Sequence, residues 1–250
     1  MTTGKLWRER FRVPSYESDP RGIASLPAIF RFLQEAAGCH ARALGLSVEH
    51  LNEDRKTWVL SRLRVCINRY PALREELDVE TWPSRRTAGA RAWRDFRLWS
   101  AAGDVLGEAT SFWLILDLGA RRPVRLPRAV LDLPLADRDP LLAEDGEPLA
   151  APSSPGPSKQ FEVRWHDLDL NRHANNTRYV EWLLESAPAD ILQNFRAVEF
   201  EISFQGEAVQ GELIGSRTGL IEVGDRPLCL HQLTDSRGSS LALARSRWSR

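Results

Sequence analysis

This sequence of 250 residues contains three cysteines and one methionine, and its formal net charge is zero. Its three cysteines, Cys39, Cys66 and Cys229, are odd in number, far apart and without metal-type spacing, which favours reduced structural thiols over ligands. The histidines form no His-x-x-x-His pair, so we expect neither a metal site nor a cofactor. The 34 basic and 34 acidic side chains cancel, which argues against nucleic-acid binding, because such binding needs excess cationic groups.

Long apolar stretches are also absent. The sequence has no leading basic-then-apolar segment and no apolar run near the length of a membrane span. We therefore expect a cytoplasmic protein that does not bind membranes. A chain of 250 residues can hold two domains of common size, each with its own core.

An internal repeat relates the two halves of the sequence. Shifted by 150 residues, segment 11–37 aligns with segment 161–187 without a gap, so that Asp19 meets Asp169. Each copy predicts a short strand, a polar crossing and an amphipathic helix. A repeat this long is not a solenoid period, and it indicates two copies of a whole domain in one chain.

Strand-like segments follow each predicted helix. They cover residues 58–67, 77–82, 91–99 and 105–117 in the first half, and 198–205, 212–217, 228–234 and 241–248 in the second. One long helix followed by an antiparallel run of strands, twice, is an α+β pattern in which a sheet wraps a helix. The apolar helix faces predicted to lie in the two cores are Leu26, Ile29, Phe30, Phe32 and Leu33, and Tyr179, Val180, Leu183 and Leu184.

A proline-rich segment separates the halves. Residues 133–159 contain six prolines among small and charged residues and show no periodic apolar pattern. We therefore predict a linker that crosses the surface between a first domain at 1–132 and a second at 160–250.

The densest group of functional residue types lies just before the second predicted helix. Asp169, Asn171 and His173 alternate at every second residue, which places their side chains on one side of an extended backbone. The helix behind them offers free N–H groups and the positive end of its dipole, an arrangement suited to a carbonyl group. Helix capping explains any one of these residues alone, as it does Asn175 and Asn176.

The first copy of the repeat helps to separate the two interpretations. It keeps an acid at Asp19 but has Arg21 and Ile23 where the second copy has Asn171 and His173. If capping alone required the polar trio, both copies would need it. The difference favours a chemical role in the second copy.

Arginine is clustered despite the balanced charge. The two groups are Arg85, Arg86, Arg91 and Arg94, and Arg121, Arg122, Arg125 and Arg128. Such clusters usually form a solvated face. The alternative is a docking surface for an acidic partner or a phosphate-bearing carrier, since guanidinium pairs bidentately with carboxylate and phosphate.

The long motif resembles the signature of the acyl-acyl carrier protein thioesterases of plants and bacteria. It comprises residues 164–176, with Tyr179, Trp182 and residues 184–188. The first half agrees with this family in order at Tyr16-Glu17, 33–37, 58–62, 69–71, Thr81-Trp82 and Arg94-Asp95. The resemblance covers nearly the whole chain and implies two tandem hotdog domains, each a long helix wrapped by a curved antiparallel sheet.

The resemblance also implies site residues. It assigns Asp169, Asn171 and His173 to the active site, and it places Glu207 at the acid of a Glu-Cys pair whose cysteine is replaced here by Ala208. An acyl-cysteine intermediate is then impossible at that position, so water attack is expected. Strand alternation would turn Glu207 away from this site unless Gly206 forms a bulge.

The expected activity is hydrolysis of fatty acyl thioesters on acyl carrier protein. Substrate contacts are predicted for Asn175 and Asn176 and for Arg85, Arg86, Arg91 and Arg94, with the acyl chain bound by the first domain. A thioesterase for acyl-coenzyme A and a non-catalytic acyl-binding protein remain alternatives. A fused pair of hotdog domains is compatible with a monomer or a homodimer.

Overall fold

A computed structural model describes residues 4–85, 89–142, 148–153 and 156–250. The chain divides into two compact units, residues 1–144 and 145–250, which we call domain 1 and domain 2. The division falls inside the segment predicted as a linker. Within the described residues, no helix combines the length and apolar character needed to cross a membrane.

Domain 1 consists of an antiparallel sheet and one long helix. Its elements are β1 (Trp7–Arg12), α1 (Leu26–Ala43), α2 (Val48–Glu53), β2 (Lys56–Ile67), β3 (Glu76–Pro83), β4 (Arg91–Ser100), β5 (Val105–Asp117), β6 (Arg122–Val124) and α3 (Arg128–Leu131). The strand order is β1-β3-β4-β5-β2, and β6 pairs with β5. Helix α1 packs against β1 and β3.

The sequence explains where α1 begins and which face it buries. The Ser25 hydroxyl accepts a hydrogen bond from the Ala28 N–H, and a proline follows in the first turn, both common at helix starts. Ile29 and Leu33 are completely buried, as the apolar stripe predicted. Burial of each such side chain stabilises the fold by roughly 1.5–3 kcal/mol.

Domain 2 repeats the arrangement with a shorter central helix. Its elements are β7 (Ser158–Glu162), α4 (Asn176–Glu185), α5 (Ala189–Asn194), β8 (Arg196–Phe204), β9 (Leu213–Glu222), β10 (Leu228–Thr234) and β11 (Ser240–Ser249). The strands follow the order β8-β11-β10-β9-β7, again antiparallel. Helix α4 contacts β9 and β10. Each domain is thus a helix against a mostly antiparallel sheet.

Part of the predicted linker lies against domain 1. The Leu141 N–H donates to Asp95 Oδ2 over 2.9 Å, and Arg85 donates to the Leu142 carbonyl oxygen. Asp95 is completely buried on β4, where Thr110 Oγ1 also donates to it over 2.8 Å. Burial raises the pKa of Asp95, opposed by these hydrogen bonds. Residues up to 142 therefore belong to the packed surface of this domain.

Candidate active site

The predicted trio lies in a tight loop before α4, held together by the carboxylate of Asp169. Asp169 Oδ1 accepts hydrogen bonds from the N–H groups of Asn171 and His173 at 2.8 and 3.4 Å. The Asp169 N–H donates to the His173 carbonyl oxygen over 2.8 Å, which closes the loop. Arg172 at the tip adopts φ +63°, a left-handed conformation. Asp169 therefore orients its neighbours through their backbone amides.

Domain 1 contains the same loop 150 residues earlier. Asp19 Oδ1 accepts from the N–H groups of Arg21 and Ile23 at 2.9 and 3.4 Å, and Gly22 occupies the left-handed position. Here, however, the guanidinium of Arg21 also pairs with the Asp19 carboxylate, at 2.7 Å from Nε to Oδ2. The acid is thus a loop-forming residue in both copies, whereas the imidazole of His173 and the side-chain amide of Asn171 occur in the second copy alone.

Glu207 reaches this loop from the end of β8. The N–H groups of Gln205 and Gly206 both donate to the Leu241 carbonyl oxygen, at 2.9 and 3.1 Å, which is the pattern of a bulge. Beyond the bulge, Glu207 Oε2 lies 3.4 Å from His173 Nε2. This irregularity lies at Gly206, where the sequence required a bulge. A Cβ at this position would lie 2.9 Å from Leu241 Cδ2, so a larger residue there would require the Leu241 side chain to move.

The first turn of α4 is largely occupied by its own cap. Asn175 Oδ1 accepts from the Thr177 N–H over 2.9 Å, and its carbonyl oxygen accepts from Arg178 N–H over 2.8 Å. The Asn175 N–H donates in turn to the Asp167 carbonyl oxygen over 2.8 Å. Among the described residues, the amide left unused at this helix end is that of Asn176. Asn175 is therefore a capping residue, as its alternative interpretation held.

The electrostatics of the site are set by burial and by two carboxylates. Partial burial raises the pKa of Asp169, opposed by the N–H groups of Asn171 and His173, while the nearby Glu207 charge raises it further. The side chains of His173 and Glu207 are 25% and 34% exposed, so both are accessible to water and substrate. An imidazole beside a reachable carboxylate can accept a proton from water and pass it to a leaving group.

His231, a buried histidine of domain 2, has a structural role. His231 on β10 is completely buried, with Nδ1 2.8 Å from Thr218 Oγ1 and Nε2 2.7 Å from Ser246 Oγ. Burial lowers the pKa of His231 to about 3, so it is neutral and fully hydrogen-bonded. Within the described residues, no three His, Cys, Asp or Glu side chains are grouped so that they could hold a metal ion.

Two family models together match most of the chain. The model of the acyl-ACP thioesterase N-terminal domain matches residues 4–133, and that of the C-terminal domain matches residues 152–250. The chain belongs to the acyl-ACP thioesterase family. Its two domains are accordingly hotdog domains in tandem, as the resemblance implied.

Curated members of this family resemble the chain over almost its full length. A chloroplastic palmitoyl-acyl carrier protein thioesterase of Gossypium hirsutum is 29% identical over 269 residues, covering 98% of this chain and 64% of the relative. Oleoyl-acyl carrier protein thioesterase 2 of Arabidopsis thaliana is 31% identical over 236 residues, covering 87% of this chain and 64% of the relative. The chain thus spans just under two thirds of the length of these relatives.

Solved structures share the fold over both domains. A putative oleoyl thioesterase from Lactobacillus plantarum aligns with a TM-score of 0.85 and 26% identity, covering 99% of this chain and 98% of that one. The 12:0-ACP thioesterase from Umbellularia californica aligns with a TM-score of 0.87 and 24% identity, covering 97% and 93%.

Among its described members, the first arginine cluster does not form a single exposed face. The Arg94 guanidinium is directed toward α1 and β3, with Nη1 3.0 Å from His40 Nδ1 and 3.1 Å from Thr81 Oγ1, and burial lowers its pKa to about 10. The substrate contact predicted for Arg94 stays a prediction. Arg85 stacks 4.6 Å from the Trp93 ring centre and Arg91 stacks 5.2 Å from that of Phe112. The prediction for Arg86 lies outside the described residues.

The second arginine cluster is exposed. Arg121, Arg122, Arg125 and Arg128 all lie at the surface, in and beside β6 and at the start of α3. Of the two clusters, this one offers the charged surface that an acidic partner would need.

Proposed function

We propose that the protein hydrolyses fatty acyl thioesters of acyl carrier protein to the free fatty acid and the carrier thiol. The observation that carries the proposal is the His173–Glu207 pair, whose Nε2 and Oε2 atoms lie 3.4 Å apart. This pair occurs in a member of a family whose curated relatives are named as acyl carrier protein thioesterases. Domain 2 is the catalytic domain in this proposal.

Domain 1 binds the acyl chain in the same proposal. Its corresponding loop has no imidazole, since Ile23 replaces His173, and its acid is neutralised by Arg21. Tyr70 occupies the place of Glu207, because Asn68 and Arg69 share the Leu106 carbonyl oxygen as Gln205 and Gly206 share that of Leu241. A copy without acid or base is free to take a binding role.

Water is the nucleophile in this mechanism. Ala208 is completely buried and offers no thiol, so attack by the enzyme at that position is impossible. Glu207 accepts a proton from water as the water oxygen bonds to the thioester carbonyl carbon. Glu207 passes this proton to His173 through the Nε2–Oε2 contact. The tetrahedral intermediate then collapses with cleavage of the C–S bond, and His173 delivers the proton to the departing thiolate.

The developing oxyanion needs hydrogen-bond donors near the thioester carbonyl group. We assign this role to the Asn176 N–H, at the positive end of α4, and to the side-chain amide of Asn171, in the loop that precedes this helix. Each donor that acts in the transition state is worth about 2.7–4 kcal/mol. Asn171 and Asn176 are therefore the substrate-binding residues in this proposal, while Asn175 serves the helix.

A comparison of two thioester substrates tests the proposal. We expect release of free thiol from acyl-acyl carrier protein at a higher kcat/KM than from acyl-coenzyme A with the same chain. Added salt should raise KM for the carrier substrate more steeply, because exposed charges are screened over about 10 Å at 0.1 M salt. Absence of hydrolysis with either substrate would refute the function.

Charge reversal at the exposed arginines tests whether they form the docking surface for acyl carrier protein. We expect Arg122→Glu combined with Arg125→Glu to raise KM for acyl-acyl carrier protein several-fold and to leave kcat unchanged, since exposed charges act on docking of the carrier and not on the chemical step. Steady-state kinetics with both substrates measures this. Equal effects on acyl-coenzyme A, together with equal salt dependence, would favour the coenzyme A thioesterase instead.

Cysteine substitutions test the water mechanism. Burial raises the pKa of the Cys229 thiol to about 11 and also raises that of Cys39, so neither forms a thiolate readily. We expect Cys39→Ser, Cys66→Ser and Cys229→Ser to keep turnover within about twofold of the parent enzyme, well below the 10²-fold expected for loss of a catalytic group. Rapid stoichiometric inactivation by a thiol reagent, abolished in one of these variants, would contradict the mechanism.

A further inference from the structure

The hydroxyl of Tyr179 lies inside domain 2, against the segment that carries Glu207. Tyr179 is only 2% exposed and packs beside the rings of Trp182 and Phe204. Its hydroxyl donates to the Gly206 carbonyl oxygen over 3.1 Å. The phenol therefore anchors the peptide that directly precedes Glu207.

A second hydrogen bond joins the segment of Glu207 to the loop of His173. The Ala174 N–H donates to the Ala208 carbonyl oxygen over 2.9 Å. Ala174 directly follows His173, and Ala208 directly follows Glu207. The two members of the catalytic pair are thus each adjacent to a hydrogen-bonded anchor.

Comparison of the two domains shows which of these hydrogen bonds is common to both. Domain 1 keeps the second one, because the Ala24 N–H donates to the Pro71 carbonyl oxygen over 2.8 Å. It lacks the first, since the 150-residue shift places Ile29, also completely buried, at the position of Tyr179. The backbone hydrogen bond from the residue at position 24 or 174 is therefore common to both domains. The hydrogen bond from the phenol occurs in the domain that contains His173 and Glu207.

Burial of a hydroxyl group lowers the stability of the folded protein unless the hydroxyl forms a hydrogen bond. Burial raises the pKa of Tyr179, and the neighbouring carboxylates of Glu207, Glu212 and Asp169 raise it further. The phenol therefore stays neutral and keeps its proton for the Gly206 carbonyl oxygen. An apolar side chain would fill this position equally well, as Ile29 does in domain 1.

We infer that Tyr179 is a positioning residue that holds residues 206–208 so that the Glu207 carboxylate faces His173 Nε2. The kinetic consequence rests on the proposed function. Gly206 ends the bulge, so without the phenol the peptide before Glu207 loses its anchor to α4. A displacement of about 1 Å of a reacting group can cost on the order of a hundredfold in rate.

Tyr179→Phe tests this role with minimal change in volume. We expect kcat for thioester hydrolysis to fall roughly 10–100-fold while KM changes less than about threefold, because substrate contacts are untouched. Tyr16→Phe is the control for kcat, since it changes a phenol that is 85% exposed and should leave kcat unchanged. Tyr70→Phe, which removes a buried phenol from the corresponding segment of domain 1, is the structural control. Full activity of Tyr179→Phe would overturn the inference.

A double-variant cycle distinguishes positioning from general destabilisation. In a Glu207→Gln background, we expect Tyr179→Phe to have almost no further effect on kcat, because the group that it positions no longer acts. An equal fold-loss in both backgrounds would show that Tyr179 does not act through Glu207, and would overturn the inference.

A spectroscopic readout works without any substrate. The ¹⁵N chemical shift of His173 Nε2, identified by its absence in His173→Ala, reports the contact with Glu207. We expect Tyr179→Phe to move this shift toward the value found in Glu207→Gln, and Tyr70→Phe to leave it in place. If no substrate is hydrolysed, the proposed function fails while this measurement still tests the positioning. An unchanged shift in Tyr179→Phe would overturn it.

Discussion

His173→Ala is expected to lower kcat for acyl thioester hydrolysis by about 10²–10⁴-fold, the usual contribution of a general acid or base. Glu207→Gln should have an effect of similar size, because the amide cannot accept the proton of the attacking water. Both side chains are partly exposed, so neither substitution removes core volume. Initial rates of thiol release at saturating substrate measure the losses.

The control for this experiment lies on the same segment. His166 is exposed in a single helical turn, Trp165–Asp167, and His166→Ala should retain full turnover. The double variant of His173 and Glu207 should be little worse than either single variant, since the two act as one unit. Additive losses, or near-normal hydrolysis by His173→Ala, would remove the pair from the mechanism.

Most of the fold could be predicted because the sequence repeats a strong pattern. The predicted strand at 228–234 coincides with β10 (Leu228–Thr234), and that at 105–117 coincides with β5 (Val105–Asp117). The strand predicted at 212–217 was too short, since β9 continues to Glu222 through partly exposed residues that break the apolar alternation. Helices α2 and α5, of six residues each, were missed because so short a segment shows no helical period.

The site could be predicted as a set of residues but not as a set of contacts. Alternation assumed an extended segment for Asp169, Asn171 and His173, whereas the chain forms a tight loop there, and Glu207 reaches His173 from the end of β8. The sequence did not reveal that Asp169 binds backbone amides, because this depends on the closure of a loop around a left-handed residue. Nor did it reveal that the phenol of Tyr179, predicted as core, reaches the Gly206 carbonyl oxygen.

Arginine 94 shows the limit of arguments from charge. A run of arginines predicts a solvated face, but the β-strand turns alternate residues inward, and the Arg94 guanidinium contacts His40 and Thr81. Both contacts are to neutral groups, the Thr81 hydroxyl and the His40 imidazole, whose pKa burial lowers to about 3. Arginines that are close in sequence therefore do not all lie on one exposed face when they belong to the same β-strand.

The duplicated loop supplies a matched pair of variants for Asp169. Asp169→Ala removes the acceptor for the N–H groups of Asn171 and His173, and Asp19→Ala removes the acceptor for the same two positions in domain 1. Each lost hydrogen bond costs about 1 kcal/mol, so both variants should be destabilised in a denaturant titration, and Asp19→Ala also loses its ion pair with Arg21. Any difference between them in turnover then reports the chemistry of the second loop.

We expect Asp169→Ala to lower kcat on the order of a hundredfold, because the loop that aims His173 relaxes, whereas Asp19→Ala keeps turnover near that of the parent enzyme. Asp169→Asn should retain most of the activity, since Oδ1 of an amide still accepts both N–H groups. It should not lose stability at neutral pH either: burial raises the folded-state pKa of Asp169, so the ionised carboxylate is disfavoured in the native protein and a neutral amide relieves that cost. If Asp169→Asn were as inactive as Asp169→Ala, the carboxylate charge itself would be required, and a role confined to orienting the loop would be inadequate.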